Sequence, residues 1–396
     1  MVNDHNSWFK RNPKKTLVFF NTIVILVLII LIEYLSGFVL GYVNKNSNDE
    51  YLNSDSDLYE GCSWVNEYRL QYKSPINEYN PYTVWKTREY HSDLFNFDKN
   101  GIRKTINIKD EKKIKYNIYF FGGSTMQNSE TIDSLTIPSW VIRNLNNSKL
   151  GEKFNFTGVN FGTSAYSSTQ ELLRFLLEYQ TGFRTYDKPD LVVFYNGAND
   201  IWAGVYLERP GYHDAFDRIK LRFDKINSFY LLKIKEKLIE KMDFLKIINH
   251  YSNGGEREND RYFETRSLDY QKLSKEQTNI YLKNIEITSS IIDKENIKSI
   301  YFIQPTIFST IDKNLHNSNK KLFYTKNFPN MNKAYDIGYS ELKKKTSKID
   351  FVIDISDLFN GVNSPIFSDY VHVGPYGNEL ISKKITESII EKHLKN

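Results

Sequence analysis

The chain has 396 residues, of which 40% are hydrophobic and 15% aromatic, enough to bury a full core and to exclude an intrinsically disordered protein. Its formal net charge is +5, and residues 1–15 supply +3 of this through four basic groups and one aspartate. The remaining residues are therefore nearly balanced in charge, with no basic stripe of the kind that binds nucleic acid. We expect no nucleic-acid partner.

Cysteine and histidine usage argues against a metal site. Cys62 is the single cysteine, so the chain can form no internal disulfide and no cysteine-based zinc site. The seven histidines are scattered through the sequence, without the short spacings typical of metal ligands. We expect neither a metal ion nor another cofactor.

A long apolar segment follows the basic N-terminus. Residues 17–32 are almost all apolar, and after Glu33 the apolar character continues to Val43. Because a helix needs about 20 residues to span the hydrocarbon layer, the sequence predicts a transmembrane anchor over residues 16–43. Glu33 is expected at the level of the lipid headgroups, since a carboxylate at the centre of the bilayer is costly.

The charge around this segment predicts its orientation. The four basic residues before it should keep residues 1–15 in the cytoplasm and place the rest of the chain outside, in the periplasm or the extracellular space. A cleaved signal peptide is the alternative, which the lack of a small-x-small cleavage site disfavours. Residues 44–115 then form a juxtamembrane spacer and a preamble to a main domain over residues 116–396.

Short apolar runs recur through the main domain, each bounded by Gly, Pro, Asn or Asp. They lie at residues 117–121, 154–161, 191–195, 300–303 and 351–354. Runs of this kind are typical of strands buried on both faces, and helical stretches separate them. The alternation predicts an α/β domain with an open, mostly parallel five-stranded sheet.

Three helix starts are predicted from local signals. Ser168-x-x-Glu171 and Ser274-x-x-Gln277 have the spacing of capping boxes, and Pro375 suits the first position of a C-terminal helix. The last two helices should present apolar stripes to the core, formed by Tyr281, Ile285, Thr288 and Ile292 in one and by Ile381, Ile385 and Ile389 in the other.

The third and fourth predicted strands are far apart in sequence. About 100 residues separate them, many more than one crossover requires. We predict a helical insertion over residues 205–270, rich in Lys, Phe, Tyr and Leu. It is interpreted either as a lid over the strand ends or as a surface elaboration.

Three polar side chains fall after the ends of predicted strands. Ser124 lies in a Phe-Gly-Gly-Ser-Thr turn after the first strand, and Asp369 and His372 follow the last strand as Asp-x-x-His. In open α/β sheets the ligand crevice lies outside the carboxyl ends of the strands. A serine hydroxyl needs a base to accept its proton and a third group to orient that base. We therefore predict Ser124 as nucleophile, His372 as base and Asp369 as the orienting carboxylate of an acyl-transfer site.

Such a site also needs hydrogen-bond donors for the oxyanion of the tetrahedral intermediate. Asn199 offers a side-chain amide directly after the third strand, and Ser124 offers its own backbone N–H. A third donor is expected from residues 160–168, which follow the second strand. The alternative for Asn199 and Asp200 is a turn that caps the next helix.

This set resembles the SGNH/GDSL hydrolase superfamily over residues 116–396. The matching blocks are Gly122-Gly123-Ser124, Gly197-Ala198-Asn199-Asp200 and Asp369-x-x-His372. The resemblance implies a flavodoxin-like three-layer sandwich and a serine hydrolase that acts on esters. The preamble, with residues 80–85 and 100–103, is similar to that of bacterial members tethered to membranes.

The second block of the family departs from its usual pattern. Related sequences often read Asn-x-Gly-x-x-Gly-Tyr-Ser-Ser, with an oxyanion N–H from the second glycine. Here Gly162 stands in the place of the first glycine and Ala165 in the place of the second. A backbone donor does not require glycine, so Ala165 can serve if its φ is negative. The pattern leaves open whether Ala165 or Gly162 donates.

Three functions compete. The first is an extracytoplasmic esterase that removes acyl groups, most plausibly acetyl groups, from a cell-surface glycan or a similar small ester. The second is an O-acyltransferase of envelope polysaccharide, which would use the same acyl-enzyme and a membrane partner as acyl donor. The third is a glycan-binding module without catalytic activity, against which the intact set of polar residues argues.

Overall fold

The computed structural model describes residues 11–54, 57–71, 77–108, 110–217, 219–220, 237, 241–245, 264–311 and 314–394. The chain divides into two compact units. One combines Met1–Ser54 with Arg218–Asp260, and the other combines Asp55–Asp217 with Arg261–Asn396. Most of the predicted insertion over residues 205–270 lies outside the described residues, so its role as a lid or a surface elaboration stays a prediction.

In the first unit, helix α1 covers Pro13–Ser54 and contains the predicted membrane segment. Its Pro13–Val39 part has a mean hydropathy of 2.6, and at 1.5 Å per residue it is long enough to cross a bilayer. By length and composition this helix fits a membrane span or a signal sequence. Glu33 lies within the helix, and its carboxylate accepts hydrogen bonds from the backbone N–H groups of Asp243 (2.5 Å) and Phe244 (3.2 Å).

The described residues of the second unit form two sheets. An antiparallel hairpin pairs strand β1, Asn77–Asn80, with strand β2, Val84–Thr87. The main sheet has five parallel strands in the order β4-β3-β5-β6-β7. These are β3 Ile114–Gly122, β4 Phe154–Asn160, β5 Leu191–Asn196, β6 Lys298–Ile303 and β7 Val352–Asp354. The predicted five-stranded parallel sheet is confirmed.

Helices connect and cover these strands. In chain order they are α2 Val65–Gln71, α3 Ser124–Gln127, α4 Ile137–Asn146, α5 Ser168–Gln180, α6 Ala198–Ile201, α7 Tyr270–Lys294, α8 Leu315–Asn327, α9 Pro329–Thr346 and α10 Pro375–Ile389. A π-helical turn, Trp202–Tyr206, extends α6. Helix α4 packs with α10, while α7 packs with α5 and α9.

The strand order explains these two helix layers. The chain moves from β3 to β4 in one direction along the sheet and then from β4 to β5 in the other. Because parallel crossovers are right-handed, α4 and α5 must lie on opposite faces of the sheet. The remaining crossovers run in the direction of β4 to β5, which places α7 and α9 on the α5 face. The result is the expected three-layer sandwich.

The start of α5 differs from the prediction by one residue. The capping box is formed by Ser167 and Gln170, and not by Ser168 and Glu171. The side chains of the predicted pair are engaged elsewhere: the Ser168 hydroxyl donates to Asp200 at 2.6 Å, and Glu171 accepts from the Asn196 amide at 2.6 Å. Tertiary hydrogen bonds therefore decide which of two overlapping motifs caps the helix.

The predicted start of α7 is wrong by a full turn. The helix begins at Tyr270, and the side chain of Asp269 caps it by accepting from the Lys272 N–H at 3.0 Å. Ser274 and Gln277 lie inside the helix, and the Gln277 amide donates to Asp200 at 2.8 Å.

The other predicted features of these helices are confirmed. Helix α10 begins at Pro375. Both apolar stripes are buried, formed by Tyr281, Ile285, Thr288 and Ile292 in α7 and by Ile381, Ile385 and Ile389 in α10.

The segment before β3 packs onto the main sheet. Arg103 is completely buried, and its guanidinium donates to the Asp133 carboxylate at 2.7 Å and to the carbonyls of Asn128 and Thr131. The rings of Phe95 and Phe97 contact the same guanidinium. A buried charge of this kind is tolerated because it is paired with a carboxylate and each of its three nitrogens donates a hydrogen bond.

Candidate active site

The sheet topology brings the predicted residues to one edge. The order β4-β3-β5 reverses at β3, and in a sheet of this type the ligand crevice opens at such a switch point, beyond the carboxyl ends of the strands. Ser124 directly follows β3, and Asn199 lies just beyond β5. Ala165 lies in the loop after β4, and His372 lies between β7 and α10.

The two glycines before Ser124 are required by close packing. A Cβ atom on Gly122 would lie 2.6 Å from the Tyr195 carbonyl oxygen, and one on Gly123 would lie 2.2 Å from Nδ2 of Asn199. Gly123 has a φ of −82°, so the need is for space and not for an unusual backbone conformation. The amide of Asn199 therefore lies against the turn that presents Ser124.

Ser124, His372 and Asp369 form a continuous hydrogen-bonded chain. Oγ of Ser124 lies 2.7 Å from Nε2 of His372, and Nδ1 of His372 lies 2.6 Å from Oδ2 of Asp369. The other carboxylate oxygen of Asp369 accepts from the backbone N–H groups of Val371 (2.8 Å) and His372 (2.7 Å). This local turn fixes Asp369 relative to the imidazole, which leaves Nε2 facing the serine.

Asp369 and His372 each shift the pKa of the other toward the charged form, against the effect of burial. Burial would raise the pKa of Asp369, but the charge of His372 and hydrogen bonds from its ring and backbone lower that pKa to about 2. Burial would likewise lower the pKa of His372, but the Asp369 carboxylate, with a contribution from Glu130, raises it to about 9. The pair thus favours a carboxylate beside an imidazolium, the charge state that follows proton transfer from a serine.

The loop that carries the pair is held by α8 and by its own hydrogen bonds. The Ser368 N–H donates to the His372 carbonyl at 2.9 Å, and Phe367 forms a bridge with Val373. From α8, the Lys320 ammonium donates to the Ser368 carbonyl and Asn317 accepts from the Ile366 N–H. Asp369 and His372 therefore project from a pinned loop.

Asn199 lies in the first turn of α6, which is capped by Gly197 at a φ of 106°. One N–H of its amide donates to the Tyr166 carbonyl at 2.8 Å. The amide nitrogen has a second N–H, and Gly123 leaves room beside it. Asn199 is therefore placed as a donor next to Ser124, and the cap of α6 is Gly197.

The two alternative donors in the second block differ in their environment. The N–H of Gly162 donates to Oδ1 of Asn160 at 2.9 Å, so it is already engaged. Ala165 adopts a φ of 60°, so the expected negative φ is wrong. The left-handed conformation is costly for a residue with a Cβ atom, but it leaves the backbone N–H in place as a donor. Glycine is the residue that adopts this left-handed conformation at low cost, which is the physical reason for a glycine at this place in related sequences.

The exposure of the site residues outlines a cleft. Ser124, Ala165, Asn199 and His372 are each partly exposed, whereas their chain neighbours Gly123, Thr125, Tyr166, Asp200 and Val371 are buried. The polar groups of four separate segments thus open to solvent at one place, while the backbone that carries them is packed.

Asp200 connects the segment of Asn199 to two other helices, which the sequence did not predict. Its buried carboxylate accepts from the N–H and hydroxyl of Ser168, at the start of α5, and from Gln277 of α7. Burial raises the pKa of Asp200 to about 6, although these hydrogen bonds oppose the shift. Its position next to Asn199 was visible in the sequence, but its partners lie 32 and 77 residues away.

Trp85 is a second residue whose position the sequence did not predict. It belongs to strand β2 of the preamble, and its indole N–H donates to the Ser164 carbonyl at 3.0 Å. Its ring also meets the ring of His213 edge-on, with centroids 4.0 Å apart. Residues 80–85 are part of the preamble that resembles membrane-tethered family members, but no spacing in the sequence links Trp85 to the loop after β4.

Within the described residues, no group of three or more His, Cys, Asp or Glu side chains is arranged to hold a metal ion. The chemistry available at the cleft is that of a serine hydroxyl, an imidazole and N–H donors.

Comparisons with known proteins identify the family of this chain. The sequence model of the family described as GDSL-like lipase/acylhydrolase matches residues 118–385. Among solved structures, a lipolytic protein of the G-D-S-L family from Veillonella parvula is 14% identical, covers 71% of this chain and 100% of its own, and has a TM-score of 0.36. An acetylxylan esterase from Geobacillus stearothermophilus is 13% identical, with coverages of 70% and 95% and a TM-score of 0.33. No curated protein matched the sequence.

Proposed function

Because the chain belongs to the GDSL-like lipase/acylhydrolase family and is a serine ester hydrolase, we propose that Ser124, His372 and Asp369 are its catalytic triad. The observation that carries this proposal is the unbroken chain from Oγ of Ser124 through the imidazole to Asp369, with distances of 2.7 and 2.6 Å. Such a chain is the arrangement that activates a serine hydroxyl.

The reaction proceeds through an acyl-enzyme. Nε2 of His372 accepts the proton of Ser124 while Oγ attacks the ester carbonyl, and Asp369 stabilises the imidazolium that forms. The imidazolium then donates its proton to the leaving alcohol as the tetrahedral intermediate collapses. Water then attacks the acyl-serine while His372 accepts its proton. The imidazolium returns a proton to Oγ of Ser124 as the free acid is released.

Three N–H groups are proposed to stabilise the oxyanion. They are the backbone N–H groups of Ser124 and Ala165 and the free side-chain N–H of Asn199. Ala165 is preferred over Gly162 because the Gly162 N–H already donates to Asn160. Loss of one such donor typically lowers the rate by about 10²–10³.

We further propose that the substrate is an O-acyl, and specifically an O-acetyl, ester of a glycan outside the cytoplasm. The apolar helix α1 and the basic residues before it support a membrane anchor with the second unit outside. A glycan of the cell envelope is an ester-bearing polymer within reach of such an enzyme. Family membership makes the chain an enzyme, so the non-catalytic alternative is set aside.

The test of the triad uses the full chain in membranes or detergent. An alkyl fluorophosphonate probe should label the native protein and fail to label Ser124→Ala. The control is Ser134→Ala, which changes a serine outside the cleft and should label normally. Absence of labelling in the native protein would overturn the proposed catalytic triad.

A second experiment separates hydrolysis from transfer. The protein is incubated with 4-nitrophenyl acetate and an excess of an oligosaccharide, and the products are analysed for free acetate and acetylated sugar. We expect acetate as the main product. In a separate reaction without 4-nitrophenyl acetate, the protein should release acetate from a chemically acetylated xylo-oligosaccharide. Acetylated sugar as the main product would instead support the O-acyltransferase, with a membrane partner as its natural acyl donor.

A further inference from the structure

The loop after β4 holds an unfavourable backbone conformation next to the cleft. Ala165 has a φ of 60°, in the left-handed region that residues with a Cβ atom rarely occupy. Conformations of this kind persist where the surrounding structure determines them.

Both neighbours of Ala165 are pinned. On one side, the carbonyl of Ser164 accepts the indole N–H of Trp85 at 3.0 Å. On the other side, the hydroxyl of Tyr166 lies 2.5 Å from the Trp85 carbonyl and 2.7 Å from the hydroxyl of Thr83. The β1–β2 hairpin therefore forms hydrogen bonds with the residue immediately before Ala165 and with the residue immediately after it.

The first of these contacts has a direct stereochemical consequence. The carbonyl of Ser164 and the N–H of Ala165 belong to one planar trans peptide group, so they point in opposite directions. A donor that fixes the Ser164 carbonyl therefore fixes the direction of the Ala165 N–H. The hydrogen bond to Trp85 aims that N–H away from the hairpin.

The hairpin is itself tied to the segment that carries the nucleophile. The amide of Gln127, in the helix that begins at Ser124, donates to the Thr87 hydroxyl at 2.6 Å. Thr87 is buried, and its backbone lies against Gly101, where a Cβ atom would come within 2.5 Å of the Thr87 carbonyl oxygen. The hairpin thus bridges the Ser124 helix and the loop of Ala165.

We propose that Trp85 is a positioning residue for the oxyanion hole: its indole N–H orients the Ser164–Ala165 peptide so that the Ala165 N–H faces the oxyanion. The inference rests on the proposed function, because it concerns a donor of that site. It also extends the functional unit beyond residues 118–385, the part that matches the family, to a hairpin that precedes the hydrolase domain.

The test replaces Trp85 by phenylalanine in the full chain, which removes the N–H and keeps an aromatic ring. We expect kcat for 4-nitrophenyl acetate to fall about tenfold, less than the 10²–10³ typical of losing a donor outright, with KM changed by less than about twofold. The affinity for an alkyl trifluoromethyl ketone, which forms a tetrahedral adduct with the serine, should fall by a similar factor. Trp140→Phe, in α4, is the matched control and should leave both values unchanged.

A second substitution distinguishes orientation from simple support of the fold. Glycine keeps a φ near 60° without a steric penalty, so in an Ala165→Gly background the Trp85→Phe change should cost less than about threefold in kcat. Equal losses in the two backgrounds, or a loss seen in KM with kcat retained, would overturn the inference.

The two proposals fail in different ways. Normal kcat in Trp85→Phe, with Ser124 labelled by the fluorophosphonate as in the native protein, would remove the role of Trp85 and leave the triad intact. A native protein that resists labelling would remove the triad itself.

Discussion

At the scale of single residues, the site combines one strained position with one strongly coupled pair. Ala165 carries the strain, since a left-handed conformation costs an L-residue roughly 1–2 kcal/mol, and its φ is 60°. His372 and Asp369 form the coupled pair, in which each group shifts the pKa of the other toward its charged form. Contacts with neighbouring segments hold both the strained Ala165 and the His372–Asp369 pair in place.

The pH dependence of activity follows from this pair. His372 acts as a base when neutral, and its pKa is raised to about 9. At pH 7 most of the free enzyme therefore carries a protonated imidazole. We expect kcat/KM to rise about tenfold per unit between roughly pH 6 and pH 8, and to level off above about pH 9. The measurement is the initial rate of ester hydrolysis, corrected with Ser124→Ala for hydrolysis by buffer.

Two substitutions should move the rising limb of this pH profile in a defined direction. Asp369→Asn removes the main charge that raises the pKa of His372, so the rising limb should move toward the ordinary histidine value near 6.5, with a large loss of kcat. Glu130→Gln removes a smaller contribution and should move the limb slightly in the same direction while most activity remains. A limb that stays in place in both variants would contradict the assignment of His372 as the titrating base.

At the scale of elements, helix starts are decided by which polar side chains are free to cap. Ser168 and Glu171 have the spacing of a capping box, as do Ser274 and Gln277, yet neither pair caps its helix. Three of these four side chains are engaged by Asp200 or Asn196, which come from the end of β5 and the turn that follows it. A local capping motif predicts a helix start only when its side chains are not engaged by residues elsewhere in the fold.

The caps of α7 provide a matched pair of substitutions. Asp269→Ala should lower the free energy of unfolding by about 1 kcal/mol, because it removes the side chain that accepts from the Lys272 N–H. Ser274→Ala, at the predicted cap, should have little effect, since among the described residues its buried hydroxyl has no hydrogen-bond partner. Thermal or chemical unfolding of the two variants checks this. A larger loss for Ser274→Ala than for Asp269→Ala would contradict the assignment of Asp269 as the cap.

At the scale of the whole molecule, the chain joins a long apolar helix to a GDSL-like hydrolase domain built on a parallel sheet. The parallel sheet order β4-β3-β5-β6-β7 creates one switch point, and the cleft is built there from segments that begin at Trp85 and end at His372. The apolar helix α1 belongs to the other compact unit, and its proposed role is to tether the enzyme to a membrane.

The proposed orientation can be measured with single cysteines. In a Cys62→Ala background, Lys14→Cys and Glu111→Cys place one thiol before and one after the apolar segment, both at exposed positions. A membrane-impermeant maleimide applied to intact cells, or to spheroplasts where an outer membrane is present, should label Glu111→Cys and spare Lys14→Cys until the membrane is opened. Labelling with the opposite preference would contradict an extracytoplasmic active site.

The sequence by itself predicted the five strands, their mostly parallel arrangement and most of the residues that meet at the cleft. This was possible because apolar periodicity is a local signal and because the carboxyl ends of parallel strands share one edge. It also identified Ala165 as the weak point of the oxyanion loop.

Only the tertiary structure decided the features that depend on distant partners. The hydrogen-bond partners of Trp85, Asp200, Ser168 and Gln277 all lie in segments far apart in the chain. The left-handed φ of Ala165 belongs to a loop that the distant β1–β2 hairpin contacts. A hydrogen bond between such segments leaves no spacing in the sequence, since it is set by how the layers pack. The Ala165 N–H could therefore be predicted as a donor from the residues around it, while its proposed orientation depends on Trp85, which is distant in the chain.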